Sequence, residues 1–413
     1  MDAHRGFAAV ALLIAAAPLA AQDPSPSSPS PAPSHPWNEF STSWAALQLH
    51  VTTMEDGAFF SQNENSVSQV GALPDTQEFR VSRLELLGQF TAPFRWSLDV
   101  NANYNGLDQN EDESQWVIYD LNVSVPLGRF AAVTVGEQEA GIGMERLSHG
   151  EDISFMERST MSEAFKKSHE LGVRFTGTAA GDRMTWSAGW FNNWLTDDLS
   201  FAASGNSYAG RVTGLAVDGD GGRRLLHLGV SADYAQAQDG SVRARSRPEV
   251  HQAPDFVDTG TFAAAHTTGV GFELAAVEGP FTLTAEYTLA DVSAPASGNP
   301  RFAGWYVAAS WVLTGETRPY ERTKGYFGRV VPDAPLSFRH GGAGAWELAA
   351  RYSWIDLSSQ AIQGGRFDRW SGALSWYPTR WGRFEFDYGY GRLQRSGATG
   401  LTRFYQLRLQ IEI

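Results

Sequence analysis

Residues 94–105 alternate without interruption. Phe94, Trp96, Leu98, Val100, Ala102 and Tyr104 fall on one side, and Arg95, Ser97, Asp99, Asn101, Asn103 and Asn105 on the other. A strand turns successive side chains to opposite faces, so this segment has one apolar and one polar face. About ten residues is what a tilted strand needs to cross a bilayer. The pattern recurs downstream, for example in Leu226/Leu228/Val230/Ala232/Tyr234, Phe281/Leu283/Ala285/Tyr287, Trp346/Leu348/Ala350/Tyr352/Trp354 and Phe384/Phe386/Tyr388/Tyr390. Tyr405/Leu407/Leu409/Ile411/Ile413 closes the chain with a last alternating strand that ends in Ile.

Each such strand would suit either a soluble sandwich or a membrane barrel. Two features select the barrel. Trp and Tyr recur at the ends of the apolar series, where amphipathic rings suit headgroups. Connections also alternate in length, with Pro126–Arg129, Glu278–Pro280 and Pro378–Gly382 short, and Gln109–Gln115, Gly141–Lys167, Leu195–Ser207 and Asp291–Pro300 long. Closure removes strand edges that lipid could not satisfy. The predicted fold is all-β, a transmembrane antiparallel β-barrel of roughly sixteen strands, with an inward-folded constriction loop. A chain of 413 residues accommodates it.

The predicted organisation is a signal peptide over 1–21, a linker over 22–38 and the barrel over 39–413. Arg5 precedes the apolar stretch Phe7–Ala21, which is too short to span a membrane, and cleavage after Ala20 or Ala21 fits. The Pro/Ser-rich segment Asp23–Pro36 cannot form a packed core. This organisation places the chain in the bacterial outer membrane. The absence of Cys removes disulfides and thiolate chemistry, and a net charge of −14 argues against a nucleic-acid partner.

Charge on the polar faces is the candidate machinery. Arg243, Arg245 and Arg247 stand at i, i+2 and i+4. On a strand of the lumen wall they would form a ladder of guanidinium groups spaced about 6–7 Å apart. Guanidinium stays charged and matches oxyanions with its fork, and repeated weak sites allow passage. The competing reading pairs these arginines with lumenal carboxylates such as Asp99, Asp120, Asp233, Glu273, Glu286, Glu347, Glu385 and Asp387. The polar segment Gly141–Lys167 is too long for a tight turn and reads as the constriction loop. There Arg146, Arg158, Lys166 and Lys167 compete with Glu145, Glu151, Asp152, Glu157 and Glu163. The plainer alternative for it is an outward, solvated loop.

Several of these segments together resemble the phosphate-selective porin O and P family. Val133–Leu147 with Phe155–Ser159 resembles its constriction-loop region. Ala209–Leu215 and Arg245–Gly260 match mid-barrel segments, and Gly304–Tyr320 and Gly344–Leu357 match most fully. The resemblance runs from about Phe79 to the C-terminus. It implies a homotrimer of 16-stranded barrels in outer-membrane lipid, passing small anions such as phosphate. Carried over residue by residue, it implies Arg243, Arg245 and Arg247 on the wall and Arg158 in the loop; Lys166 and Lys167 join the expected anion pathway from the charges of the loop itself. The family's lysine-rich mouths are not matched, since Lys166, Lys167 and Lys324 are the only lysines.

A weakly selective general porin fits the residues as well as an anion pore does. A barrel enzyme would need Ser and His together on a lipid-facing rim. His227 and Ser231 share a face, but about 13 Å of strand separates them. A purely adhesive or structural barrel would have its lumen plugged by Arg–carboxylate pairs. The run Asp218–Gly222 reads as a flexible turn rather than a Ca²⁺ loop. No metal, cofactor or catalytic residue is expected.

Overall fold

The computed structural model describes residues 38–90, 95–102, 116–165, 169–192, 204–339 and 341–413, with the backbone alone at 95–102, 116–117 and 204. The expected signal peptide and most of the linker, the loops around 109–115 and 195–203, and Lys166 and Lys167 lie outside these residues.

Sixteen long strands follow one another around the barrel. They are β1 (Ala45–Gln62), β2 (Thr76–Phe90), β3 (Arg95–Ala102), β4 (Trp116–Pro126), β5 (Ala131–Glu139), β6 (His169–Ala179), β7 (Met184–Asn192) and β8 (Ser204–Gly219). They continue with β9 (Arg224–Ala237), β10 (His266–Glu278), β11 (Phe281–Ser293), β12 (Arg301–Val312), β13 (Ala345–Ser359), β14 (Ile362–Thr379), β15 (Gly382–Arg395) and β16 (Ala398–Glu412). Every neighbouring pair is antiparallel, and β16 pairs with β1 from Thr52↔Glu412 to Gln62↔Thr402 to close the sheet. A three-residue strand, Glu39–Ser41, runs beside the start of β1.

The apolar face is the outer one. Leu228, Val230, Phe272, Leu348, Leu407 and Ile411 are exposed, while Glu273, Glu286, Glu347, Glu385 and Asp387 on the alternate positions are buried. Outer-face rings stack near the short-turn ends, as in Phe281–Trp311 and Trp346–Trp376. A second group, Trp305, Tyr352 and Trp370, lies toward the loop ends. These are the two aromatic girdles of a membrane barrel.

Two bulges settle registers that alternation alone leaves open. In β2 the pairing steps from Met54↔Val81 to Glu55↔Phe79 and skips Arg80. The extra residue lets both Arg80 and Arg83 reach inward, to Glu157 and Glu151, although strict alternation puts them on opposite faces. In β4 the pairing steps from Asp99↔Asp120 to Val100↔Ile118. Strict alternation in step with Leu121 and Val123 would put Tyr119 on the outer face; instead Ile118 takes the exposed place, and the Tyr119 ring packs against His169.

Three segments fill the lumen. The first, 140–165, carries the short helices α1 (Met144–Leu147) and α2 (Thr160–Phe165). The second, 238–265, holds two very short ladders, Ser241–Val242 with Phe262–Ala263 and Arg245–Ser246 with Val257–Asp258. The third, 313–344, enters from the opposite, short-turn end and carries the Tyr320–Glu321/Tyr326–Phe327 hairpin. The first two share one apolar core with the inner wall: Phe155, Met161 and Phe165 meet Val250 and Phe256 among Phe302, Phe367 and Phe404. α2 approaches β12 closely at Gly304, where a methyl group would stand 3.0 Å from the Met161 side chain and crowd it.

Phe256 touches both Phe367 and Phe404 and is buried. Phe256→Ala should weaken the seating of 238–265 by about 3–5 kcal/mol. The expected readout is tryptic cleavage after Arg243 or Arg245 in a barrel that keeps its heat-modifiable mobility on gels.

Candidate functional site: the lumen and its constriction

A loop inside a lumen buries main-chain groups that neither helix nor sheet satisfies, and each needs a partner. The wall supplies them. Arg351 (β13), Arg383 (β15) and Arg408 (β16) donate to the carbonyls of Glu157 at 3.0 Å, Ile153 at 2.8 Å and Met156 at 2.7 Å. Arg369 (β14) donates to the carbonyls of Pro248 and Glu249 in the second segment. Carboxylates do the complementary work. Glu286 accepts from the main-chain N–H of Met144 (3.0 Å) and Glu145 (2.6 Å) at the start of α1, and Asp387 accepts from Met156 N–H (3.0 Å).

The wall charges are also paired with one another. Arg408 grips Asp56 through Nε (2.7 Å) and Nη2 (2.6 Å), and Arg318 of the third segment grips Glu347 at 2.7 Å. Arg351 joins the two loops, reaching Glu145 of the first at 3.1 Å and Glu249 of the second at 2.6 Å. Glu163 adds a direct tie, accepting from Ser246 Oγ (2.9 Å) and Arg247 N–H (2.8 Å).

The structure moves the expected arginines. Arg243, Arg245 and Arg247 are not on the barrel wall but on the inward segment 238–265. Their shared side is real: the alternate residues Val242, Ala244 and Ser246 are buried, while their own side chains stay 41%, 38% and 41% exposed. Alternation persists because the segment is locally extended. Its ladders span only two residues, and the wall position falls to β9 and β10. Each arginine has a carboxylate: Asp258 at 2.5 Å, Asp255 at 3.4 Å and Glu163 at 3.7 Å. The Arg243 guanidinium, hydrogen-bonded to Asp258, holds that carboxyl below its ordinary value.

Arg158 turns back on its own loop. Its Nε donates to the Glu145 carbonyl, and its Nη2 to those of Arg146 (3.2 Å) and Ser148 (2.8 Å), capping the end of α1. Sequence reasoning named Arg146 only among the mixed charges of the loop and passed over a further cation, Arg174. Arg146 in α1 makes no ion pair among the described residues, and burial and then the neighbouring Arg158 push its guanidinium down to about 10. Arg174 on β6 donates to the Glu139 carbonyl at 2.9 Å and lies against Gly141. Their signal was the charge beside the loop's glycines, Gly141 and Gly143, which gives no periodicity to read.

His227 is buried and engaged by Tyr320 Oη (2.7 Å) and Glu273 (3.3 Å), fastening the third segment to β9 and β10. It lies in the interior, not on a lipid-facing rim. Asp218 of the Gly/Asp run is held by Arg322 of that same segment.

Glu151 gives the constriction a pH limit. Burial raises its carboxyl, but Arg83 and His149 outweigh burial and hold it at about 2, against an ordinary 4.5. A depressed carboxyl contributes stability that is present above 4.5 and is lost as the pH falls toward 2. Single-channel conductance should therefore be constant down to that ordinary value and rise below it as the loop loosens. Glu151→Gln should show the looser state already at neutral pH.

The family described as Phosphate-selective porin O and P matches residues 56–412. An uncharacterized protein of Caulobacter vibrioides is 31% identical over 65% of this chain and 55% of its own length. The chain thus spans about half of that relative. Porin O of Pseudomonas aeruginosa is 23% identical over 74% of this chain and 72% of its own. Among solved structures, an anion-selective porin from Comamonas acidovorans superposes with a TM-score of 0.56, covering 89% of this chain and 100% of that one. At 10% identity, that likeness concerns the fold. The barrel belongs to the bacterial outer membrane.

Proposed function

We propose that this chain, which belongs to the phosphate-selective porin O and P family, forms a pore that passes small anions such as phosphate by diffusion. The observation that carries the reading is unbalanced positive charge at the constriction. Arg146, Arg158 and Arg174 make their contacts to main-chain carbonyls or to none, and form no ion pair among the described residues. The wall arginines, by contrast, are balanced by Asp56, Glu249 and Glu385. An anion arriving at the half-exposed row Arg243, Arg245 and Arg247 exchanges with the carboxylates that hold them. It then meets cations with no competing carboxylate in contact. Lys166 and Lys167, which follow α2 in the chain, add to the same charge. Modest binding at successive points is what conduction requires. The family also supports assembly as a homotrimer.

The runner-up is a weakly selective porin for small polar solutes. It is favoured by the carboxylate already present on each of Arg243, Arg245 and Arg247.

Reversal potential in planar bilayers across a KCl gradient separates the two. Anion preference, with chloride current reduced by added phosphate, is expected. Arg146→Ala with Arg174→Ala should abolish the preference, and Arg245→Ala should weaken the phosphate block. Cation preference, or a current indifferent to phosphate, favours the general porin.

A further inference from the structure

Outside the lumen, the loop-side rim of the barrel carries a second arrangement of arginines. Arg301 opens β12, Arg366 stands near the start of β14, Arg392 near the end of β15, and Arg403 on β16. All four belong to the outward series of their strands: Arg301 precedes Trp305 and Val307, Arg366 precedes Trp370 and Leu374, Arg392 follows Phe386 and Tyr388, and Arg403 precedes Tyr405 and Leu407. The side chains of Arg301, Arg366 and Arg392 are 63%, 49% and 48% exposed. Arg403 is exposed as well. Directly beneath them on the outer wall lies the loop-side aromatic group Trp305, Tyr352 and Trp370, and Arg366 stands over Trp354. The arginines therefore sit at headgroup height, where a polar layer meets the acyl region.

Their carboxylate partners orient them without using up their donors. Asp291 takes Nε of Arg301 at 2.5 Å, and Asp368 takes Nε of Arg392 at 2.9 Å. Asp356 takes Nε (2.9 Å) and Nη2 (2.6 Å) of Arg366. Both Nη groups of Arg301 and Nη1 of Arg366 are left without an acceptor among the described residues. Arg403 has no carboxylate partner there at all. Four interstrand steps span roughly 19 Å, the scale of one lipid with several chains. The arrangement is one-sided: on β8 to β10 the same outward rim holds Asn206, Tyr234 and His266.

We propose that this arc is a docking surface for a phosphate-bearing lipid of the outer leaflet. The phosphates bridge the guanidinium groups of Arg301, Arg366, Arg392 and Arg403, of which Arg392 also hydrogen-bonds Tyr352, and the acyl chains lie along the aromatic wall of β12 to β16. Guanidinium recognises phosphate through paired donors held in a plane, and carboxylates that fix Nε pre-set that plane. The inference rests on the outer-membrane position of the barrel and is independent of which solute passes through it.

Native mass spectrometry of the full chain in detergent tests it. The probes are a diphosphorylated multi-acyl glucosamine glycolipid, the same lipid dephosphorylated, and inorganic phosphate. The phosphorylated lipid should be retained and the dephosphorylated one should not, with inorganic phosphate a poor competitor. Arg403→Gln should weaken retention about fivefold, and neutralising all four arginines with Gln by about a hundredfold or more. Heat-modifiable mobility reports whether each variant is folded. Arg403 has no carboxylate partner among the described residues, so the single variant carries the test if the quadruple one does not fold. Equal retention of the two lipids would show that the acyl wall binds without the arginines and would overturn the proposal. So would unchanged retention by Arg403→Gln, or displacement of the lipid by inorganic phosphate alone.

Discussion

The structure depends on a single accounting requirement: main-chain groups carried into a lumen must find partners there. Segments 140–165 and 238–265 cross the barrel with only short helices and two-residue ladders of their own. Their carbonyls and amides are met by ionised side chains from the wall. Arg351, Arg369, Arg383 and Arg408 all come from the last four strands, so that quarter of the barrel acts as a bracket for both loops. Glu286 and Asp387 complete it by accepting amide hydrogens. Charged donors and acceptors make stronger bonds than neutral ones, and a guanidinium can serve a carbonyl and a carboxylate together, as Arg408 does with Met156 and Asp56.

This bracket has a consequence for permeation. Arginines engaged in holding loops are poorly placed to trade partners with a passing ion, because removing one member of a buried pair leaves the other uncompensated. Cations suited to exchange are those with no ion pair or with half-exposed ones. That distinction separates Arg146 and Arg174, and the row on 238–265, from the four bracketing arginines. An acidic chain can therefore still present a positive path, since net charge counts residues and permeation depends on which of them remain uncommitted.

The barrel was legible in the sequence because lipid on one side and polar lumen on the other impose period-two alternation, which appears directly in series such as Leu226 to Tyr234. The inward constriction loop was legible from its length and polarity. Three things were not. The bulges at Arg80 and Tyr119 each insert one residue, and alternation carries no mark of where that happens. The Arg243–Arg247 row alternates like a wall strand, yet Pro248 and the left-handed Glu249 (φ 62°) end it at once, and its partner strand is equally short. The third inward segment, 313–344, breaks the rule that short turns gather at one end. Its anchors, Tyr320 to His227 and Arg318 to Glu347, are contacts between positions far apart in the chain. Charged residues on the polar faces of β13 to β16 were visible, but that they hold loop carbonyls follows only from the three-dimensional path of the loops.

The central claim is that wall charges hold the main chain of the constriction. Amide hydrogen exchange in the folded, detergent-solubilised barrel tests it most directly, at Met144, Glu145 and Met156, whose N–H groups donate to Glu286 and Asp387. The account predicts protection at these three loop amides approaching that of strand amides. It further predicts selective loss at Met156 in Asp387→Ala, and at Met144 and Glu145 in Glu286→Ala, with the strands unaffected. Exchange of these amides at the rate of exposed loops in the unaltered protein would contradict it.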